Sequence, residues 1–148
     1  MVRNLARAPW PYEPQHAREF VQLPIAPAFP RFLIARADTA QLVGCIGIDP
    51  CNGEVELAYW IARQHWGRGY ATEAGRAVLD VARMLGHRRV GASHFLDNPA
   101  SGRVLRKLGF VPTGTVRNRH SCGRGGEAPT AEYALDLEAG ELADMRAA

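Results

Sequence analysis

The sequence predicts an α+β class: one mixed β-sheet with helices packed on it. Short apolar runs bounded by turn residues recur along the chain and read as strands. Two other stretches repeat their apolar residues at helical spacing. The two kinds follow one another as β-β-β-α-β-α-β-β, an order that suits a single sheet covered by helices.

Residues 1–30 are proline-rich and lack strand alternation, apart from a short helical candidate at Pro14–Gln22. Strand candidates 31–37 and 41–48 flank a turn at Asp38-Thr39. A second turn, Asp49-Pro50-Cys51-Asn52-Gly53, contains the Asn-Gly hairpin signal and leads into a strand at 54–61. Residues 70–85 form the clearest helix. Ala71, Ala74, Gly75, Val78, Leu79, Ala82 and Leu85 share one stripe, and Gly86 supplies a stop. His87-Arg88-Arg89 then leads into a strand at 89–93. The second helix opens with Asn98 as N-cap and Pro99 in the first helical position, runs to Leu108 and stops at Gly109. Strands at 110–116 and 130–137, joined by a Gly/Arg-rich loop at 120–127, close the chain. No repeat or linker interrupts it, so residues 1–148 are read as one domain.

Composition narrows the function classes. The chain is 47% hydrophobic and 22% charged, ordinary for a globular protein. It has neither a membrane-length apolar run nor a signal-peptide block, so the expectation is a cytoplasmic protein with no membrane partner. A net charge of +3, carried by arginine with Lys107 as the one lysine, suits an anionic ligand. No dense basic run with interleaved aromatics points to nucleic acid. Cys45, Cys51 and Cys122 lack metal-ligand or disulfide spacing, so no metal is expected. Cys45 is read as a buried apolar residue and Cys122 as an exposed thiol without a role.

The segment Tyr59 to Thr72 carries the chemistry. An aromatic strand runs into the turn Gly67-Arg68-Gly69, and a long helix starts directly behind it. A helix N-terminus offers unpaired N–H groups and partial positive charge to phosphate. The Rossmann fingerprint requires a third glycine where Thr72 stands and an acidic residue about 20 positions on, and neither is present. No P-loop string occurs.

Gln64-His65-Trp66-Gly67-Arg68-Gly69 reproduces the acetyl-CoA signature [Gln/Arg]-x-x-Gly-x-[Gly/Ala]. Asn98-Pro99-Ala100-Ser101 and Lys107-Leu108-Gly109-Phe110 supply a second signature at matching spacing. Over roughly residues 9–137 the chain thus resembles the GNAT superfamily of N-acetyltransferases, in particular its RimJ/RimL-like branch, which acetylates N-terminal amines of ribosomal proteins. The resemblance implies a sheet splayed between two central strands, acetyl-CoA as co-substrate and an amine acceptor. The acceptor would be a protein N-terminus or a small molecule, attacking directly in a ternary complex. A non-catalytic acyl-CoA-binding protein is the alternative.

The resemblance also implies roles for residues. Backbone N–H groups of Gly67, Arg68, Gly69, Tyr70, Ala71 and Thr72 would hold the pyrophosphate. The strand around Trp60 and Ile61, reading from Tyr59 to Ala62, would pair with the pantetheine arm. Gln64, His65 and Trp66 belong to the same cofactor segment, the latter two shaping the turn. Asn98 would cap its helix and contact the arm. The superfamily's tyrosine acid falls on Leu105, which has no proton to donate; the RimJ/RimL-like branch instead uses the serine, directly or through water, which makes Ser101 the candidate acid. Strand alternation sets Glu54, Glu56, Ala58 and Trp60 on one face and Val55, Leu57, Tyr59 and Ile61 on the other. Glu56 is the candidate base, with Glu132 as a second possibility. His87, Arg88 and Arg89 are weighed as a 3′-phosphate contact against a solvated helix end. Trp10, Pro11 and Tyr12 resemble an aromatic segment at the acceptor mouth. Only Met1 to Ala8 precede them, too few for the family's first strand and helix. The resulting expectation is a homodimer or a marginally stable monomer.

Overall fold

A computed structural model describes residues 2–24, 26–51 and 53–138; Met1, Ile25, Asn52 and residues 139–148 lie outside the described residues. The elements are helix α1 (Pro14–Gln22), strands β1 (Arg31–Ala35), β2 (Leu42–Cys51) and β3 (Glu54–Ile61), helix α2 (Tyr70–Met84), strand β4 (Arg89–Phe95), helix α3 (Pro99–Lys107), and strands β5 (Val111–Ser121) and β6 (Gly126–Asp136). The expected order is reproduced. The six strands form one sheet, ordered β1-β2-β3-β4-β6-β5.

Every strand pairing is antiparallel except that of β3 with β4, which is parallel. A parallel neighbour requires a crossover, and α2 supplies it. The face of the sheet that α2 covers holds the core. Ile46, Ile48, Val55, Leu57, Val90 and Ala92 from the strands meet Val78, Leu79 and Ala82 of α2 and Leu105 of α3, all at most 4% exposed. Leu85, placed on the predicted stripe, instead caps the helix and is 41% exposed. Gly75 lets the helices approach, since a Cβ there would stand 2.5 Å from the Leu108 side chain.

Three boundaries depart from the sequence reading. Strand β2 runs on through Asp49 and Pro50 to Cys51, residues expected in the turn, because all three pair with β3. Strand β1 stops at Ala35, where Arg36 turns its guanidinium onto Asp38 and its N–H onto the Gln41 carbonyl. The loop expected at 120–127 narrows to a tight turn at 122–125, because β5 continues to Ser121 and β6 begins at Gly126. The N-terminal segment holds this end in place. Ser121 donates to the Leu5 carbonyl at 2.7 Å, and Arg124 donates to the Arg3 carbonyl at 2.6 Å. Arg124 also grips Asp97 through both nitrogens and lies 4.3 Å over the Phe95 ring. Cys122 is therefore partly covered rather than exposed. Of the predicted Asn-Gly turn, Gly53 adopts φ 82°, while Asn52 lies outside the described residues.

Two consequences are measurable. A Cβ on Gly44 would overlap the Trp60 carbonyl oxygen, whereas one on Gly126 meets nothing. Gly44→Ala should cost about 1–3 kcal/mol in urea unfolding, and Gly126→Ala should stay within about 0.5 kcal/mol of the parent. The second concerns Asp97, whose carboxyl is held below the usual range, chiefly by the hydrogen bond from Arg124. A depressed folded-state pKa stabilises above the unfolded value, about 3.9, and that stabilisation is lost as pH falls through the folded one. The melting-temperature gap between parent and Asp97→Asn should therefore be open at pH 7 and close on acidification below that range.

Candidate active site

The sheet is split at its centre. Strands β3 and β4 pair only through Val55↔Val90 and Glu56↔Gly91. Each strand is meanwhile committed to its outer neighbour, β3 to β2 and β4 to β6, along nearly its whole length. With twist accumulating in each half, the carboxyl-terminal stretches Leu57–Ile61 and Ala92–Phe95 separate into a cleft. Helices α2 and α3 begin at its mouth.

The β3 wall of that cleft is an unpaired strand edge. Ala62 donates to Val43 at 2.8 Å, and the β2–β3 register runs without a shift. Alternation then turns the backbone groups of Glu54, Glu56, Ala58 and Trp60 to β2, and those of Leu57, Tyr59 and Ile61 into the cleft. Of the two strand residues proposed for pantetheine, Ile61 thus faces the cleft, whereas the backbone of Trp60 is spent on β2. Trp66 modifies the edge by donating its indole N–H to the Ile61 carbonyl at 2.7 Å.

The turn behind β3 presents donors. Gly67 and Gly69 have φ 75° and 88°, a left-handed conformation that side-chain-bearing residues rarely adopt. Nothing lies within 4 Å of a Cβ built at either, so the two glycines serve the backbone path and border open space. Among the described residues, the N–H groups of Gly67, Arg68, Gly69, Tyr70 and Ala71 bond to no backbone or side-chain acceptor. The Thr72 N–H is taken by the Gly69 carbonyl at 2.9 Å. His65 is 5% exposed with its ring T-shaped against Tyr70, and neither ring nitrogen has a partner among the described residues. Gln64 and Arg68 are exposed beside it. Five unpaired N–H groups at the start of a 15-residue helix fit a phosphate ligand.

Asn98 occupies the N-cap position of α3, but its side chain makes no capping bond. The expected cap is thus absent, and the amide stays uncommitted at the cleft mouth. Ser101, in the first turn, accepts or donates a 2.7 Å hydrogen bond with the Tyr59 hydroxyl across the cleft. Burial raises the Tyr59 phenol above its ordinary pKa, against a smaller opposing pull from Ser101. Leu105 is 1% exposed and packs into the core.

Glu56 stands at the vertex of the split, on the opposite sheet face from Tyr59. It is 9% exposed. Ser93 donates to Oε1 at 3.0 Å, and Arg119 Nη1 lies between the two oxygens, 2.8 Å from Oε1 and 3.0 Å from Oε2. Burial alone would weaken the Arg119 proton, but the hydrogen bond and charge of Glu56 raise its pKa overall. Glu132 lies 3.8 Å beyond, on Arg119 Nη2, and also meets Arg117 at 3.4 Å. Cys51, Gly91 and Ala92 complete a small open cavity around Glu56.

Other candidates fall elsewhere. His87, Arg88 and Arg89 sit past the far end of α2, about 22 Å from the turn by helix rise. There His87 bonds the Ala28 carbonyl and stacks on Phe29, while Arg88 pairs with Glu138 at 2.8 Å and Arg89 with Glu54 at 3.6 Å. Trp10 and Tyr12 are 58% and 49% exposed, with Tyr12 tilted against His16 of α1. Sequence reasoning did not assign roles to the side chains of Tyr59, Ser93 or Arg119. Tyr59 was findable, since alternation already set it on the helix-covered face; Arg119 depends on a 63-residue pairing that no local pattern encodes.

Comparison with known proteins agrees with this geometry. The family described as Acetyltransferase (GNAT) domain matches residues 1–111. The uncharacterized N-acetyltransferase YoaA of Bacillus subtilis is 38% identical over 91 residues, 59% of this chain and 51% of that one. YdaF of the same organism, provisionally named a ribosomal N-acetyltransferase, is 30% identical over 78 residues, 52% of this chain and 43% of that one. The chain spans about half the length of the curated relatives it matches. In fold, it superposes on spermidine N-acetyltransferase from Vibrio cholerae, solved with CoA and spermine, with a TM-score of 0.71 at 22% identity, covering 86% of this chain and 78% of that one. With a family match over residues 1–111 and a split sheet of this topology, the chain belongs to the GNAT acetyltransferase family.

Proposed function

We propose that this chain is an acetyl-CoA-dependent N-acetyltransferase in which a primary amine attacks the thioester directly, in a ternary complex. The observation that carries the reading is the split itself: an unpaired β3 edge ending at a turn of unpaired N–H groups. An extended pantetheine arm adds to that edge as a short strand, and the pyrophosphate settles on Gly67 to Ala71. The cleft-facing N–H groups of Tyr59 and Ile61 are the donors for the oxyanion that forms on attack.

The two candidate proton-transfer groups lie on opposite faces of the sheet, as direct transfer through a split requires. Glu56 serves the acceptor side. Ser93 and Arg119 already engage both of its oxygens, so it takes the ammonium proton through a water molecule in a remaining lone-pair direction. Ser101 serves the thiolate side. The Asn98–Ser101 signature, with Leu105 in place of a tyrosine, favours the RimJ/RimL-like branch, as does the similarity to YdaF. The acceptor is a primary amine, with a ribosomal-protein N-terminus the first to test and a polyamine the second, given the Vibrio cholerae enzyme of the same fold.

Acetyl-CoA at 100 times its Kd should stabilise the chain by about 2.7 kcal/mol, read as a rise in melting temperature. Gly69→Ala should shrink that rise, because its φ of 88° carries a penalty of about 1–2 kcal/mol for a residue with a Cβ. Supplied with a panel of N-terminal peptides and polyamines, the protein should release CoA. A melting shift without CoA release would make it an acyl-CoA-binding protein, and no shift would remove both readings. Glu56→Gln should slow CoA release by about 10²-fold or more. Cys51→Ala should leave it unchanged, since direct attack forms no acetyl-enzyme.

A further inference from the structure

Resting on the acetyltransferase reading, we propose that Tyr59 supplies the proton that Ser101 passes to the departing CoA thiolate. Direct donation by serine alone is chemically poor. A serine hydroxyl is close to water in acidity, a far weaker acid than a thiol near 8.5 or a phenol near 10. Leaving a serine alkoxide behind is therefore far more uphill than leaving a phenolate. The superfamily's position for a phenol, four residues after Ser101, is occupied by Leu105, buried to 1% exposure and facing the core.

The geometry places a phenol on the other wall instead. Tyr59 projects from the separated half of β3 toward the first turn of α3, and its hydroxyl lies 2.7 Å from Ser101 Oγ. Its next-nearest partner is the Ser101 carbonyl, at 3.4 Å. That carbonyl can only accept, so the hydroxyl proton points toward Ser101 in either arrangement. When Tyr59 donates to Oγ, the serine proton is free to point into the cleft. Burial also keeps the phenol protonated at neutral pH, so the donor is fully loaded.

The step balances without any further reagent. As the C–S bond breaks, sulfur takes the Ser101 proton, and the Ser101 oxygen takes that of Tyr59. The phenolate recovers a proton from water as CoA departs. The Tyr59 side chain touches no reacting atom; it is a positioning group that fixes the Ser101 rotamer and feeds it.

The test is CoA release by Tyr59→Phe, Ser101→Ala and the double variant, with the acetyl-CoA melting shift measured on each. Tyr59→Phe should lower kcat by about 10²-fold, with KM for acetyl-CoA and the melting shift unchanged. The double variant should be no slower than Ser101→Ala. The parent's kcat should also fall at alkaline pH as Tyr59 ionises, and that limb should vanish in both single variants, including Ser101→Ala, which keeps the phenol in place. A Tyr59→Phe variant with parental kcat, multiplying effects in the double variant, or an alkaline limb retained in Ser101→Ala overturns the proposal. A parent that binds acetyl-CoA yet releases no CoA overturns the enzymatic reading and this proposal with it; turnover in the parent with an unimpaired Tyr59→Phe overturns this proposal alone.

Discussion

The structure depends on two parallel strands that pair through only two residues each. Everything assigned to the site follows from this. Had β3 and β4 zipped to their ends, the N–H groups of Tyr59 and Ile61 would be spent inside the sheet. The first turns of α2 and α3 would then flank a closed surface. Instead the sheet keeps its continuity at Val55 and Glu56 and gives it up beyond them. The shared core on the helix-covered face, from Ile48 through Val90 to Leu105, holds the two halves together where the ladder does not.

That division also sorts the chemistry by face. Backbone donors, Asn98, Tyr59 and Ser101 gather toward the helices, and Glu56 with its Ser93 and Arg119 partners gathers on the other side. The vertex residue is the one place where both faces meet the cleft. A carboxyl group with two hydrogen-bond donors and 9% exposure sits there, and removing either donor would leave it under-satisfied.

Much of this was legible from the residues in order. The stripe from Ala71 to Ala82 gave α2, the alternation from Glu54 to Ile61 gave β3 to the residue, and Gly67-Arg68-Gly69 marked the turn. What was not legible depends on residues far apart in the chain. The segment at 120–127 looks like a loop by composition, yet Leu5, Arg3 and Asp97 hold its flanks as strand. The Arg119–Glu56 pair arises from strand order, which local pattern does not encode. Asn98 shows the converse failure. Its position as N-cap was readable, but whether the side chain caps was decided by local geometry that composition does not carry.

The Trp66 indole, bonded to the Ile61 carbonyl, has a consequence for solubility. An open strand edge is a template on which a foreign chain can extend a sheet, and natural proteins blunt such edges or keep them short. Here the edge lies inside the molecule, between halves of its own sheet, and covers only Leu57–Ile61. The indole takes its last acceptor, and the tyrosine hydroxyl ties its middle to the opposite helix. The protein can thus keep an unpaired edge for a ligand while giving an aggregating strand too little length to grow on.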